Sequence, residues 1–263
     1  MFEIYILPIL IFAAVGLIAG ALLTIASRVF EVKADERIEK VTDALPGINC
    51  GACGYSGCEP YAEAVVSGEA PSNLCKPGGD STSEKISEIL GTGYLDVIEH
   101  VAYVRCGGDC EATDEKYEYT GIETCNAVNR FYNGKGQCKH GCLGYGDCID
   151  ECMFDAISIQ DGIAVIDSEK CTGCGMCAPA CPNDLIVMKD ATKVIDVKCL
   201  STDTGKATRL NCDNGCIGCK ICERKCEYDA IKVVDNLASI DYDKCTLCGV
   251  CVEVCPVKCI HNG

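Results

Sequence analysis

The chain has no tryptophan, five phenylalanines and four methionines. Aromatic residues make up 6% of its 263 positions, which leaves little bulky material for an ordinary core. Positive charge is also scarce: 23 Lys and Arg stand against 39 Asp and Glu, a net charge of −16. A nucleic-acid binder shows a basic stripe, so that class is excluded and no nucleic-acid partner is expected. The three histidines, His100, His140 and His261, form no triad or metal spacing. No P-loop is present, and no glycine-rich nucleotide fingerprint follows a strand, so the chain is not read as binding a nucleotide.

What abounds is cysteine, 26 in all. Such a density means either a disulfide scaffold or metal, and spacing and compartment decide between them. One hydrophobic run bears on compartment. Ile4 to Ser27 carries no charged side chain, and about 20 apolar residues span a bilayer. Only Glu3 precedes the run, so it lacks the positive n-region of a signal peptide. Arg28, Lys33, Arg37 and Lys40 follow it. The positive-inside rule predicts a single-pass helix with its N-terminus outside and the cysteine-rich part in the cytoplasm. That compartment is reducing, which disfavours stable disulfides. Gly16 and Gly20 form a G-x3-G pair that allows a second membrane helix to approach.

Residues 34–45 read as a helix ended by Pro46-Gly47. Cys50, Cys53, Cys58 and Cys75 follow, spaced C-x2-C-x4-C-x16-C around a helix over Glu59–Val66. Three close thiolates and a distant fourth suit one 4Fe–4S cube, and a four-cysteine zinc site is the alternative. Ser81 and Glu84 match a capping box before a further helix.

The C-terminal half repeats itself. Cys125, Cys138, Cys142, Cys148, Cys152, Cys171, Cys174, Cys177 and Cys181 each have a cysteine 74 residues later, at 199, 212, 216, 222, 226, 245, 248, 251 and 255. In the second copy, Cys216, Cys219, Cys222 and Cys226 precede Cys245, Cys248, Cys251 and Cys255-Pro256. This is the bacterial ferredoxin run, in which the fourth cysteine of each run ligates the other cube. One cube is then assigned Cys216, Cys219, Cys222 and Cys255, the other Cys245, Cys248, Cys251 and Cys226. Between the runs, apolar stretches flank Asp161-Gly162 and Asp235-Asn236, so each copy should contain a hairpin.

The first copy has Tyr145 where the second has Cys219. Its rear cube is assigned Cys171, Cys174, Cys177 and Cys152. Its front cube is assigned Cys142, Cys148 and Cys181, with Cys138 as the missing corner. A three-thiolate cluster or an empty site are the alternatives. Cys106, Cys110, Cys125, Cys199, Cys212 and Cys259 are left without a ligand role and read as small buried residues or inert thiols. Cys106, Cys110 and Cys125 could build part of another cluster, but only by taking Cys138. Five 4Fe–4S clusters are expected, six at most. His140 is either a donor tuning a cluster or a solvated loop residue.

The expected architecture is a transmembrane anchor (1–30), a small helical 4Fe–4S domain (31–80), a linker (81–124) and two tandem α+β ferredoxin units (125–190 and 191–263). In this order, Leu45-Pro-Gly-Ile-Asn-Cys-Gly-Ala-Cys-Gly-Tyr-Ser-Gly-Cys58 and Gly141-Cys-Leu-Gly-Tyr-Gly-Asp-Cys148 resemble the B subunits of the Rnf complexes, over nearly the whole chain. The likeness is to forms with extra ferredoxin repeats. It implies the electron-carrying subunit of a membrane-bound, ion-translocating ferredoxin:NAD⁺ oxidoreductase, coupled to Na⁺ or H⁺ transport. Reduced ferredoxin would be the donor, and subunits A, E, D, G and C the partners. The rival readings are an iron–sulfur subunit of a hydrogenase, formate dehydrogenase or reductase, and a structural zinc protein.

Overall fold

The computed structural model describes residues 7–29 and 35–262. The elements in chain order begin with α1 (Leu7–Val29), α2 (Glu36–Ala44), α3 (Cys58–Ser67), α4 (Gly79–Leu90) and β1 (His100–Val104). The first ferredoxin-like unit adds α5 (Cys125–Asn129), α6 (Asp147–Asp150), β2 (Ile157–Gln160), β3 (Ile163–Ile166), α7 (Cys177–Ala180) and β4 (Ile186–Asp190). The second contains β5 (Ile195–Val197), α8 (Gly205–Asn211), α9 (Ile221–Lys225), β6 (Ile231–Val234), β7 (Leu237–Ile240), α10 (Val250–Glu253) and β8 (Ile260–Asn262).

The helix α1 is 23 residues long, and its large side chains from Ile9 to Ile25 stand exposed. Among the described residues no helix is long and apolar enough to cross a membrane; the side chains described in α1 are those of residues 9–25. The side chain of Arg28, and Lys33, on which the orientation partly rests, lie outside the described residues.

The helix α2 starts where Asp35 caps it, its carboxylate accepting the Arg37 N–H at 2.9 Å. It stops because Leu45 precedes Pro46 and takes an extended conformation (ψ 153°). The expected end of α3 is also found: Gly68 adopts φ 81° and its N–H closes the last turn. Val41, Tyr61 and Ile86 are fully buried where α2, α3 and α4 meet. The capping box at Ser81 is not formed. Winding already starts at Cys75, whose carbonyl accepts the Gly79 N–H, so Ser81 falls inside the first turn and bonds back to the Gly78 carbonyl at 3.2 Å.

Four two-stranded antiparallel sheets lie among the described residues. Hairpins β2–β3 and β6–β7 turn at Asp161-Gly162 and Asp235-Asn236, all four with positive φ. That is the type I′ geometry that matches strand twist. The other two sheets pair β1 with β4 and β5 with β8. The expected linker over 81–124 therefore contains a strand of the first unit. Register makes the internal symmetry explicit. Val104 faces Ile186 and Val197 faces Ile260. Ile186 and Ile260 are 74 residues apart, whereas Val104 and Val197 are 93 apart. Upstream of the cysteine runs the 74-residue repeat thus breaks, because the first unit carries a longer stretch between its outer strand and its first front-run cysteine.

The two units are sewn together. Lys189 of β4 forms a buried ion pair with Asp196 of β5, and its ammonium sits 4.9 Å from the Tyr103 ring centre. The Tyr242 hydroxyl donates to the Ile195 carbonyl at 2.8 Å and lies 3.1 Å from the Asp196 carboxylate. After β1, the Gly107 N–H donates to the Lys198 carbonyl at 3.0 Å, and Asn214 returns a bond to the Gly107 carbonyl at 2.8 Å.

Candidate metal centres

Cysteines gather in six groups of four among the described residues. The first is Cys50, Cys53, Cys58 and Cys75. Loop 46–57 is shaped by Asn49, whose side-chain oxygen accepts the Cys58 N–H at 2.8 Å and so seats Cys58 at the start of α3. Burial pushes the Cys75 thiol up to about 11, with the Cys58, Cys50 and Cys53 sulfurs adding to the shift.

The second group is Cys152, Cys171, Cys174 and Cys177. Burial raises Cys177 to about 12, followed by the effects of Cys171, Cys174 and Cys152. Strand β1 closes this loop: the Ala102 N–H points at Cys171 Sγ at 3.4 Å. The approach requires Gly173, at φ 70°, because a Cβ there would lie 2.4 Å from the His100 carbonyl oxygen. Cys50 of the first group is one of the charges acting on Cys174, so the two groups are neighbours.

The third group differs in make-up from the expected set. The cavity against β3 is lined by Cys125, Cys142, Cys148 and Cys181, with Leu143, Ile159 and Ala164 as apolar wall. Cys125 stands here beside Cys148, whereas Cys138 lines the cavity of the fourth group. The reason is α5, which follows Thr124 as N-cap and is tied by Asp147 to the Cys125 and Asn126 amides at 2.6 and 2.9 Å. Tyr145 packs outward: its ring stands edge-on to Tyr119 at 6.1 Å and lies under the Lys135 ammonium at 5.4 Å.

The fourth group is Cys106, Cys138, Cys199 and Cys212, lining a cavity between the two units. Spacing alone gives three of these no role. The fifth group is Cys216, Cys219, Cys222 and Cys255, with Cys259 as an additional buried thiol whose sulfur lies 3.6 Å from Cys255 Sγ. The hydrogen bond between the two thiols draws Cys255 down to about 5, and contacts with Cys216 and Cys255 push Cys259 up. The sixth is Cys226, Cys245, Cys248 and Cys251. Cys110 joins none; it is exposed at the Asp161 turn, where its N–H meets the Asp161 carbonyl at 2.9 Å.

Whether these groups suit one ion or a cube follows from their width. Zinc at about 2.3 Å from four sulfurs holds them roughly 4 Å apart. Among the described residues, no three His, Cys, Asp or Glu side chains are grouped closely enough to share one ion. Groups of four thiols fit 4Fe–4S cubes instead. Matching N–H groups aim at the sulfurs in both units: Ala156 at Cys152 and Ala230 at Cys226, each at 3.4 Å. Such bonds set cluster potential.

Comparison with known proteins agrees with this chemistry. An Fe-S cluster family model matches residues 45–77, and 4Fe-4S binding domain models match 164–187, 213–229 and 238–261. The chain is 41% identical over 99% of its length to the B subunit of the ion-translocating oxidoreductase complex of Methanosarcina acetivorans, covering 99% of that protein. It is 42% identical over its whole length to the B subunit of the Na(+)-translocating ferredoxin:NAD(+) oxidoreductase complex of Acetobacterium woodii, covering 79% of it. The proton-translocating counterpart of Clostridium ljungdahlii is 39% identical over 98% of the chain and is 93% covered. The chain belongs to the family of ion-translocating oxidoreductase B subunits.

In this member of the family, burial raises several of the metal-free thiols. Cys148 rises to about 12 and Cys222 to about 11, with burial the largest cause in each. Such thiols are poor nucleophiles, and coordination to iron is what converts them to thiolates.

Proposed function

We propose that this chain is the iron–sulfur relay of a membrane-bound, ion-translocating ferredoxin:NAD⁺ oxidoreductase. Reduced ferredoxin is its electron donor. Electrons leave toward subunits A and E, then the flavin subunits D and G and the C subunit, where NAD⁺ is handled. The observation that carries this reading is the succession of four-cysteine groups from the α2–α4 domain into the last unit, with no nucleotide motif beside them.

The anchor reading is supported by α1. The run Ile4–Ser27 is uncharged, and the described side chains of α1 form the kind of apolar surface that needs a lipid or protein cover. The relay would then sit on the cytoplasmic side of a single-pass anchor.

Electrons are best accepted at the sixth group. Cys248 is exposed there, and Tyr228 and Val250 present apolar surface beside it. Lys220, Arg224 and Lys225 are exposed on and before α9. On an acidic chain this is a local positive patch for an acidic donor. With the isolated complex, reduced ferredoxin should reduce the clusters. Charge reversal at these three residues should slow that step at least tenfold at low salt and much less at high salt. An unchanged rate, or co-purification with a hydrogenase or formate dehydrogenase component in place of the NAD⁺-handling subunits, rules the reading out.

The ligand sets proposed for the cubes are those of the first, second, third, fifth and sixth groups. They keep nineteen of the twenty expected cysteines and replace Cys138 by Cys125. Cys125→Ser should therefore alter the third cube's EPR signal. Cys138→Ser should leave that signal in place. The reverse pattern restores Cys138 as the ligand of that cube.

A further inference from the structure

We infer that Cys106, Cys138, Cys199 and Cys212 hold a sixth 4Fe–4S cluster that bridges the two ferredoxin units. No family model that matches this chain covers any of the four.

The first support is geometry. The four cysteines line one cavity, three of them buried. A Cβ placed on Gly108 would meet Cys212 Sγ at 3.1 Å and Cys106 Sγ at 3.8 Å, so glycine is what lets the loop pass between these sulfurs. Their Sγ atoms are not within single-ion range of one another in threes, which disfavours zinc as the occupant.

The second support is internal symmetry. The Arg105 N–H bonds the Leu185 carbonyl, and the Lys198 N–H bonds the Cys259 carbonyl. Cys142 N–H points at Cys106 Sγ at 3.3 Å, and Cys216 N–H points at Cys199 Sγ at 3.3 Å. Cys106 and Cys199 are thus the same position in the two units, although 93 residues separate them. Cys138 and Cys212 are a second matched pair, 74 apart. Each unit contributes the same two cysteines to this site. Chance placement of inert thiols has no reason to respect that relation.

The third support is polar. Arg105 Nε and His140 Nε2 are buried without a hydrogen-bond partner among the described residues, and both residues line this cavity. His140 Nε2 stops 3.7 Å short of Asp203. Unmatched buried donors are costly unless something accepts from them. The sulfides and thiolates of a cube do, and nearby positive groups raise its potential.

The position also closes a gap. Cys142 and Gly141 line both this cavity and that of the third group, and Cys216 touches Cys199 on the other side. A cluster here stands between the third group and the fifth. Resting on the relay reading above, transfer through the site is of one electron and no atom: what the donor cluster loses the acceptor gains, and no proton moves.

The test is metal analysis of the anaerobically purified full-length chain, followed by reduction kinetics. Wild type should hold about 24 irons and as many acid-labile sulfides, four for each of six cubes. Cys106→Ala and Cys212→Ala should each fall to about 20, whereas Cys110→Ser should match wild type. About 20 irons in wild type, unchanged in Cys106→Ala, overturns the site, as does zinc without the matching sulfide. The wild-type count decides the matter even where a variant fails to fold. Freeze-quench EPR then tests the bridge separately. In the Cys106→Ala protein, ferredoxin should reduce the fifth and sixth groups while the first three lag at least a hundredfold. Equal rates in all groups would overturn the bridging role with the iron count intact, leaving the choice of donor untouched.

Discussion

Removing iron from the anaerobic protein is expected to unfold both ferredoxin units, a loss on the order of 10 kcal/mol by analogy with small domains that fold around structural metal. The elements of both units are short. The hairpin strands have four residues each, and helices α6, α7 and α10 have four. Isolated helices that short do not form in water, and a two-stranded hairpin is marginal on its own. The buried clusters meant to hold them are partly cysteine. Cys106, Cys148 and Cys177 sit in the core of the first unit, and Cys199, Cys216, Cys222 and Cys259 in that of the second. Without iron these are neutral thiols around cavities, with nothing to tie one loop to another. The α2–α4 domain should behave differently. It has Val41, Tyr61 and Ile86 fully buried and helices of nine to twelve residues, so part of its helical signal should survive. Circular dichroism and hydrogen exchange of the iron-free chain check both halves. A cooperative unfolding transition in the iron-free units, within about 1 kcal/mol of the loaded protein, would show that side-chain burial alone carries the fold.

The same dependence on cysteine explains what could be read from the sequence. Local signals were enough for the hairpins, because Asp161-Gly162 and Asp235-Asn236 accept positive φ at both turn positions and the flanks are apolar. They were also enough for the end of α3 at Gly68 and the stop of α2 before Pro46. Ferredoxin spacing grouped Cys216, Cys219, Cys222 and Cys255, and likewise Cys226, Cys245, Cys248 and Cys251; each of these sets lines one cavity, the former together with Cys259. Long-range partners were not legible in the first unit. Equal spacing paired Cys125 with Cys199, whereas strand register pairs Cys106 with Cys199. A longer segment between β1 and Cys142 shifts the alignment, and nothing local marks the insertion. Once Cys106 is placed by β1 and Cys125 by α5, Cys138 is drawn to the cavity between units. Tyr145 gave the one available hint, since it left the third group short of a corner within its own run.

Cys53→Ser should lower ferredoxin-driven NAD⁺ reduction by the complex at least a hundredfold while leaving reduction of the distal clusters by ferredoxin intact. The first group lies between α1 and the rest of the chain in sequence, and the second group neighbours it through Cys50 and Cys174. The sixth group, with its exposed Cys248, is the entry proposed above. In a line of one-electron sites, loss of the terminal site blocks delivery without blocking loading. Loss of a ligand from the first cube should therefore separate two rates that are coupled in the wild type. Rapid-mixing EPR would follow the loading of the distal clusters, and NADH formation would follow delivery. Serine keeps the side chain's size and can itself coordinate weakly, so Cys53→Ala serves as the stronger variant, and the α2–α4 core lies apart from the ferredoxin units it must leave undisturbed. NADH formation at the wild-type rate in both variants would place the exit elsewhere on the chain. Failure of the distal clusters to load would mean that ferredoxin delivers its electrons at the first group, and the direction of flow would be reversed.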